Sequence, residues 1–373
     1  MSQPWLPLAG VRVVDFSMFV PGPFCSSILA DLGAAVIKVE PPKGDPGRAY
    51  VPVQFSTENR NKRSIAVDLK NQESHEIVER LVRQCEVVIE GFRPGVVKRL
   101  GIDFEKLKKY NPKLVYCSIS GYGQTGPWRD RPGHDVNYVA AAGGLAYPGQ
   151  WLKEPARSSL PIADMAGGAF AAIAILSALR EGKSVHLDLS LFESAFFMAA
   201  MRHGLDARAD PRAHLFPVND VFETADGKRL TLGILEQHFW QNFVKLAPEL
   251  AQERFATDAK RRENGDVLSM FLQEIIARKS ADEWIRLLDA GDVPVDLCVT
   301  PAEAAAQNRQ LIERQAVTRG FAGFPVWADG ARGGSLRAGT PKLGEHAREI
   351  LVELGFDDAQ IADLVKDGIL VQS

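Results

Sequence analysis

Two short β-branched runs set what this chain can become. Val11-Arg12-Val13-Val14-Asp15-Phe16 and Ala35-Val36-Ile37-Lys38-Val39-Glu40 both have the composition of strands. Between them, Phe24 to Asp31 places Phe24, Ile28 and Leu29 at helical spacing. Pro21-Gly22-Pro23 breaks the first strand, and Gly33 ends the helix. Strand, helix and strand within about thirty residues form a βαβ unit, which requires a parallel sheet and an α/β fold. The first strand-to-helix loop lacks the G-x-G-x-x-G spacing, so a dinucleotide is not expected.

The alternation continues down the chain. Asp68 to Gln84 reads as a helix with Ile77, Leu81 and Val82 inside, Glu86 to Glu90 as a third strand and Leu114 to Ile119 as a fourth. Asn59-Arg60-Asn61-Lys62-Arg63-Ser64 reads as a basic loop able to meet phosphates, or as a solvated loop. Val96 to Leu100 begins a helix that carries Arg99, and Gly121 to Pro127 is a flexible loop near strand ends. Ala169 to Leu179 is the longest apolar stretch, too short to cross a bilayer and expected as a core helix. Ser184 to Leu189 alternates as a strand with His186 outward. Phe192 to Leu205 is a helix with Phe196, Met198 and Met201 as core filler.

A polar break at Ala207 to Arg212 precedes a second region. There Val221 to Thr224 and Arg229 to Leu232 flank an Asp226-Gly227 turn, giving a β-hairpin. Helices follow over Val267 to Ala277 and Ala281 to Ala290, then a strand toward Val299. Phe321 to Lys342, rich in Gly, Pro and Arg, is a second linker, and a mostly helical tail closes the chain. The expected organisation is therefore a large domain over 1–206, a linker over 207–220, a small domain over 221–320, a linker over 321–342 and a return over 343–373.

The chain has 373 residues and a net charge of −3 with both signs interspersed, which gives no electrostatic footprint for nucleic acid or an anionic membrane. Its four cysteines are scattered without a CxxC pair, so metal and redox motifs are absent and buried thiols in a reducing cytoplasm are expected. The N-terminal residues have neither the charged nor the apolar region of a signal peptide.

The candidate chemistry lies in Gly133-His134-Asp135-Val136-Asn137-Tyr138 and in Ile162-Ala163-Asp164-Met165-Ala166-Gly167-Gly168. Histidine ordinarily titrates near neutrality and can hold or release a proton. An aspartate at a helix start feels the positive end of the helix dipole, so Asp164 is expected to stay ionised. The two are a plausible pair for moving a proton on and off carbon. The plain alternative is a surface histidine and a helix-capping aspartate.

Several segments together resemble the family III CoA-transferase superfamily of CaiB/BaiF type, and within it the α-methylacyl-CoA racemases. They are Leu8 to Val14, Ile28 to Ala34, Val36 to Glu40, Asn61-Lys62-Arg63-Ser64-Ile65, Arg93-Pro94-Gly95-Val96, Gly121 to Pro127, Asp164 with its glycines, and the Ala225-Asp226-Gly227 turn. The resemblance implies a large open parallel-sheet, Rossmann-like domain built from both chain ends, a smaller α/β domain, and an interlocked homodimer. It implies coenzyme A as part of the substrate rather than a permanent cofactor, and no metal. CoA is expected near Arg60, Asn61 and Lys62, near Arg99, and along Phe92, Tyr122 and Tyr138. Relatives often carry an Arg where this chain has Pro41, so Lys43 or Arg48 is expected to substitute. Asp164 matches the family carboxylate, and His134 in Gly-His-Asp looks like the racemase version. Glu236 looks like the racemase glutamate that contacts the histidine from the partner's small domain, with an exposed helix-start residue as the alternative. The activity implied is inversion of the α-carbon of a 2-methyl-branched acyl-CoA. A CoA-transferase working through an aspartyl intermediate on Asp164 is the second reading. Trp151 is expected to face the acyl group, and amides at the start of the Gly167-Gly168 helix to receive the enolate oxygen.

Overall fold

A computed structural model describes residues 4–206, 208 and 210–372; residues 207 and 209 of the expected first linker lie outside the described residues. The chain divides into two units, one of Met1–Ala142, Ser158–Met198 and Gln310–Ser373, the other of Gly143–Arg157 and Ala199–Arg309. These bounds differ from the expected ones in three places. Residues 143–157 and 199–206 group with the small unit, and 310–320 with the large one. The first difference has a visible cause. Trp151 donates from its backbone N–H to Asp220 (2.7 Å) and from its indole to Asp266 (2.8 Å).

In the large unit the order begins β1 (Arg12–Asp15), α1 (Pro21–Asp31), β2 (Ala35–Glu40), α2 (Pro52–Glu58), β3 (Lys62–Val67) and α3 (Ser74–Arg83). It continues with β4 (Val87–Glu90), α4 (Val96–Leu100), β5 (Val115–Ser120), α5 (Asp135–Ala141), α6 (Ile162–Glu181), β6 (Val185–Ser190) and the first part of α7 (Leu191–His203). Helix α1 begins at Pro21, inside the motif read as a breaker, because proline at the first helical positions gives up only an N–H that has no partner there.

Six strands lie parallel in the order β3-β2-β1-β4-β5-β6, in register Val13↔Val36 and Val87↔Val115. Strand β3 stands where the sequence pattern predicts a loop, because its first residues are basic. Beyond the small unit, the chain returns through helices Ala347–Glu353 and Asp358–Lys366. The two-residue strand Leu370–Val371 then pairs antiparallel with β3, where a helical tail was expected. Ile350, Leu351, Ile361, Leu364 and Ile369 join Val14, Ile65, Ile77, Val88 and Tyr116 in one core, so both chain ends build this unit.

Helix α6 extends well beyond the stretch read from sequence. It is 20 residues long and, by length and composition, apolar enough to cross a membrane. In this fold it packs on α1, α5, β5 and β6. Phe196 and Met198, expected in the core, are 45 % exposed, and Met201 is exposed as well.

The small unit carries an antiparallel sheet of Val221–Glu223, Arg229–Leu232 and Val295–Leu297. Helices Gly265–Ile276 and Ala281–Ala290 cover it, around Phe222, Leu230, Trp240, Phe243, Leu272 and Trp284. Ser280 and Glu283 form a capping box at the start of the second helix.

Candidate active site

Gly133 and Gly121 sit against the ring of Tyr138. A Cβ at Gly121 would lie 2.5 Å from the Tyr138 hydroxyl, and one at Gly133 would lie 2.7 Å from its ring. Any larger residue would push the ring aside. Tyr138 donates its hydroxyl to the Gly133 carbonyl (2.6 Å), which fixes the turn ahead of α5. His134 is the N-cap of that helix, and its backbone N–H donates to Asn137 Oδ1 (3.0 Å). The cap is therefore held through the backbone, and the imidazole stands exposed at the helix start.

The next residue links this helix to the second motif. Asp135 is buried, and its Oδ1 accepts from the amides of Ala163 (2.7 Å) and Asp164 (3.3 Å). Two unpaired donors in the first turn of α6 are thus satisfied by a carboxylate from α5. His134 immediately precedes the residue that holds the Asp164 backbone, so the two helix starts, with the histidine and the aspartate, are fastened together.

This arrangement overturns the expectation that Asp164 stays ionised. Asp135 has taken the amides that would have stabilised a charge on Asp164. Burial, followed by the Asp135 charge, pushes the Asp164 carboxyl up to about 7. The expected enolate donors, the amides at the start of α6, include those of Ala163 and Asp164, which already donate to Asp135. Gly167 and Gly168 lie inside α6, beyond its first turn. A Cβ at Gly168 would lie 2.6 Å from the Pro21 carbonyl of α1, and one at Gly167 would lie 2.4 Å from the Leu191 side chain. These glycines serve close packing of α6.

The basic segment is not a phosphate loop in this structure. Lys62 lies on β3 with a fully buried side chain. Its ammonium reaches Asp15 Oδ2 (3.4 Å), the Pro23 carbonyl (3.0 Å) and Asn59 Oδ1 (2.9 Å). Asn61, at φ 63°, donates to Asp31 (2.9 Å) and the Ser335 carbonyl (2.8 Å), and accepts from the amides of Arg337 and Ala338. Arg60 pairs with Asp31 at 2.5 Å. Together they fasten the returning segment to the end of α1. Arg48, expected with Lys43 to stand in for the absent arginine, grips Glu40 with two N–H groups (2.7 and 2.8 Å), and Lys43 is exposed.

Arg99 is exposed on α4, and Phe92 is half-buried against the large core after donating its amide to Glu90. Tyr122 meets Tyr138 edge-on at 5.2 Å between ring centroids, under the Arg131 guanidinium at 5.6 Å. The Tyr122 hydroxyl is shielded and has no hydrogen-bond partner. Trp151, expected to face the acyl group, is buried on Gly265 within the small unit. Glu236, the N-cap of the helix from Gln237 to Leu246, is exposed in that same unit. His186 stands outward on β6 as expected, with Ser118 at 2.9 Å. Among the described residues no group of three or more His, Cys, Asp or Glu is placed to hold a metal ion. Sequence reasoning missed Asp135 as a functional residue. Its signal is present in the Gly-His-Asp triplet, one position beyond His134.

Comparison with known proteins places this geometry in context. The model of CoA-transferase family III matches residues 8–347. An acetyl-CoA:oxalate CoA-transferase of Acetobacter aceti is 34% identical, covering 96% of this chain and 98% of its own. The α-methylacyl-CoA racemase of Homo sapiens is 30% identical, covering 98% of each. A solved CaiB/BaiF family protein from Brucella suis superposes with a TM-score of 0.82 at 32% identity, over 94% of this chain and 100% of its own.

Proposed function

The chain belongs to CoA-transferase family III, and from that premise we propose that it is an acyl-CoA racemase inverting the α-carbon of a 2-methyl-branched acyl thioester. One observation carries the reading: Asp135 ties the Asp164 backbone to the helix that His134 caps, while leaving the Asp164 carboxyl near neutrality. A carboxyl held at about 7 can take a proton from carbon and also return one, as a reversible inversion requires.

In one direction Asp164 removes the α-proton from one face of the carbon, and the C–H electrons pass into the thioester enolate. The His134 imidazolium then delivers a proton to the opposite face. The reverse direction exchanges the two roles. Phe92, Arg99, Tyr122 and Tyr138 are assigned to the CoA portion, the arginine as the exposed cation for phosphate. Glu236 is assigned to the histidine of a second copy in a homodimer. The dimer reading is supported by the exposed apolar Ile173, Phe197 and Met198 on the large unit. Cys25, Cys85 and Cys117 are buried free thiols while Cys298 is exposed, which fits a reducing cytoplasm.

The test is deuterium wash-in from D₂O into the α-position of 2-methylacyl-CoA substrates, read by mass spectrometry. The racemase reading expects exchange in the parent, and loss of about 10³-fold or more in H134Q and D164N. The transferase relatives and the bare carboxyl of Asp164 support a second reading, in which that carboxylate attacks the thioester carbonyl and CoA leaves. Hydroxylamine-sensitive labelling of Asp164 without α-exchange would replace the first reading with the second.

A further inference from the structure

Glu58 is the last residue of α2 and is 6 % exposed. One carboxyl oxygen accepts from Gln54 Nε2 (2.9 Å), while the other is fully shielded with no hydrogen-bond partner. A buried carboxylate needs a cation or several donors. Lys62, the cation that acts most strongly on Glu58, offers none, because an ammonium has three protons and those of Lys62 face Asp15, Pro23 and Asn59. Lys38 is likewise occupied, at 2.9 Å from the Ser17 carbonyl and 2.9 Å from Asp45. Helix α1 packs against both α2 and α6, and the Asp164 charge acts on Glu58. The charged groups that act on Glu58 are thus Lys62 of β3, Lys38 of β2 and Asp164 of α6, with neutral Gln54 on its own helix. Those that act on or respond to Asp164 are Asp135 and Tyr138 of α5, beside His134 at the start of that helix.

We propose that Glu58 is a positioning residue of the proton-transfer centre, a buried carboxyl that keeps its proton while Asp164 is charged, so that the two together hold a single negative charge. The proposal rests on the reading of Asp164 as the proton-transfer carboxylate. Burial raises the Glu58 carboxyl to about 7, and the Asp164 charge adds to that rise. Above that range Glu58 loses its proton and adds a second negative charge within the field of Asp164. That charge opposes the developing enolate, so exchange falls on the alkaline side.

The experiment has two arms. In the first, the pH profile of α-proton exchange is compared between the parent and E58Q, a neutral isostere. The alkaline limb is expected to move up by about one pH unit in E58Q. A uniform loss at every pH would show a packing role alone and overturn the proposal. In the second, carboxyl infrared bands are titrated without turnover. The band missing from E58Q is expected to titrate at lower pH in D164N than in the parent. An unchanged titration in D164N would overturn the coupling. Because this arm needs no substrate, absence of any exchange would count against the racemase reading and leave the carboxyl pair to be judged separately.

Discussion

In the unfolded chain the Asp164 carboxyl ionises near its ordinary 3.8, whereas in the folded protein burial and the Asp135 charge hold it at about 7. The unfolded state therefore gives up its proton first. The stability associated with protonated Asp164 is full below about pH 4 and is lost as pH rises through about 7. D164N avoids that loss. It should unfold at higher denaturant than the parent at pH 8, by on the order of 1–2 kcal/mol, with the gap closing near pH 4. Equilibrium urea unfolding at the two pH values checks both the sign and the closure. Lys62 presents the opposite case. Burial brings its ammonium down to about 8, yet it faces the buried Asp15, which Lys62, Lys38 and two serines hold below its ordinary value against the desolvation that raises it. K62A leaves Asp15 buried without that partner and should cost about 3–5 kcal/mol. The damage should appear as a lower melting temperature rather than a selective loss of CoA affinity.

Among the elements, α6 depends on a cap from another helix. Removing the Asp135 carboxylate in D135A leaves the Ala163 and Asp164 amides unpaired, at a cost of about 1 kcal/mol. It also lifts a negative charge from beside Asp164. The acid limb of the exchange profile should therefore move to lower pH in D135A, which a pH–rate series would show. The two glycines of α6 should separate cleanly by melting temperature. G168A drives a methyl into the Pro21 carbonyl and the Phe24 ring, where backbone must give way, whereas G167A meets the movable end of Leu191. The first should cost about 1–3 kcal/mol and the second less. Strands β1 and β2 stand in the sequence because their apolar runs are local. Strand β3 was hidden because the partners of its lysine, Asp15 and Pro23, lie about forty residues away, and no local pattern reveals a buried charge pair. Helix α5 was hidden because only seven residues separate its cap from its end. The His134 and Asp164 motifs were legible as types of residue. The raised titration of Asp164 was not, because it arises from a contact between two helix starts.

At the scale of the molecule, the large unit is assembled from segments at both ends of the chain, with Leu370–Val371 as the edge of its sheet beside β3. Removing residues 368–373 takes away that edge and the buried Ile369 and Leu370. The truncated protein should melt lower by several degrees and aggregate on heating, as calorimetry and light scattering would record. The position of that edge strand bears on synthesis as well. A ribosome releases the chain from its first residue onward, so β1 to β6 emerge long before the residues that border β3. The segment Ala199–Arg309 of the small unit is contiguous and fully translated before the tail exists. During translation the middle of the polypeptide can therefore settle early, while the larger unit waits with an open border until Leu370 and Val371 have been made.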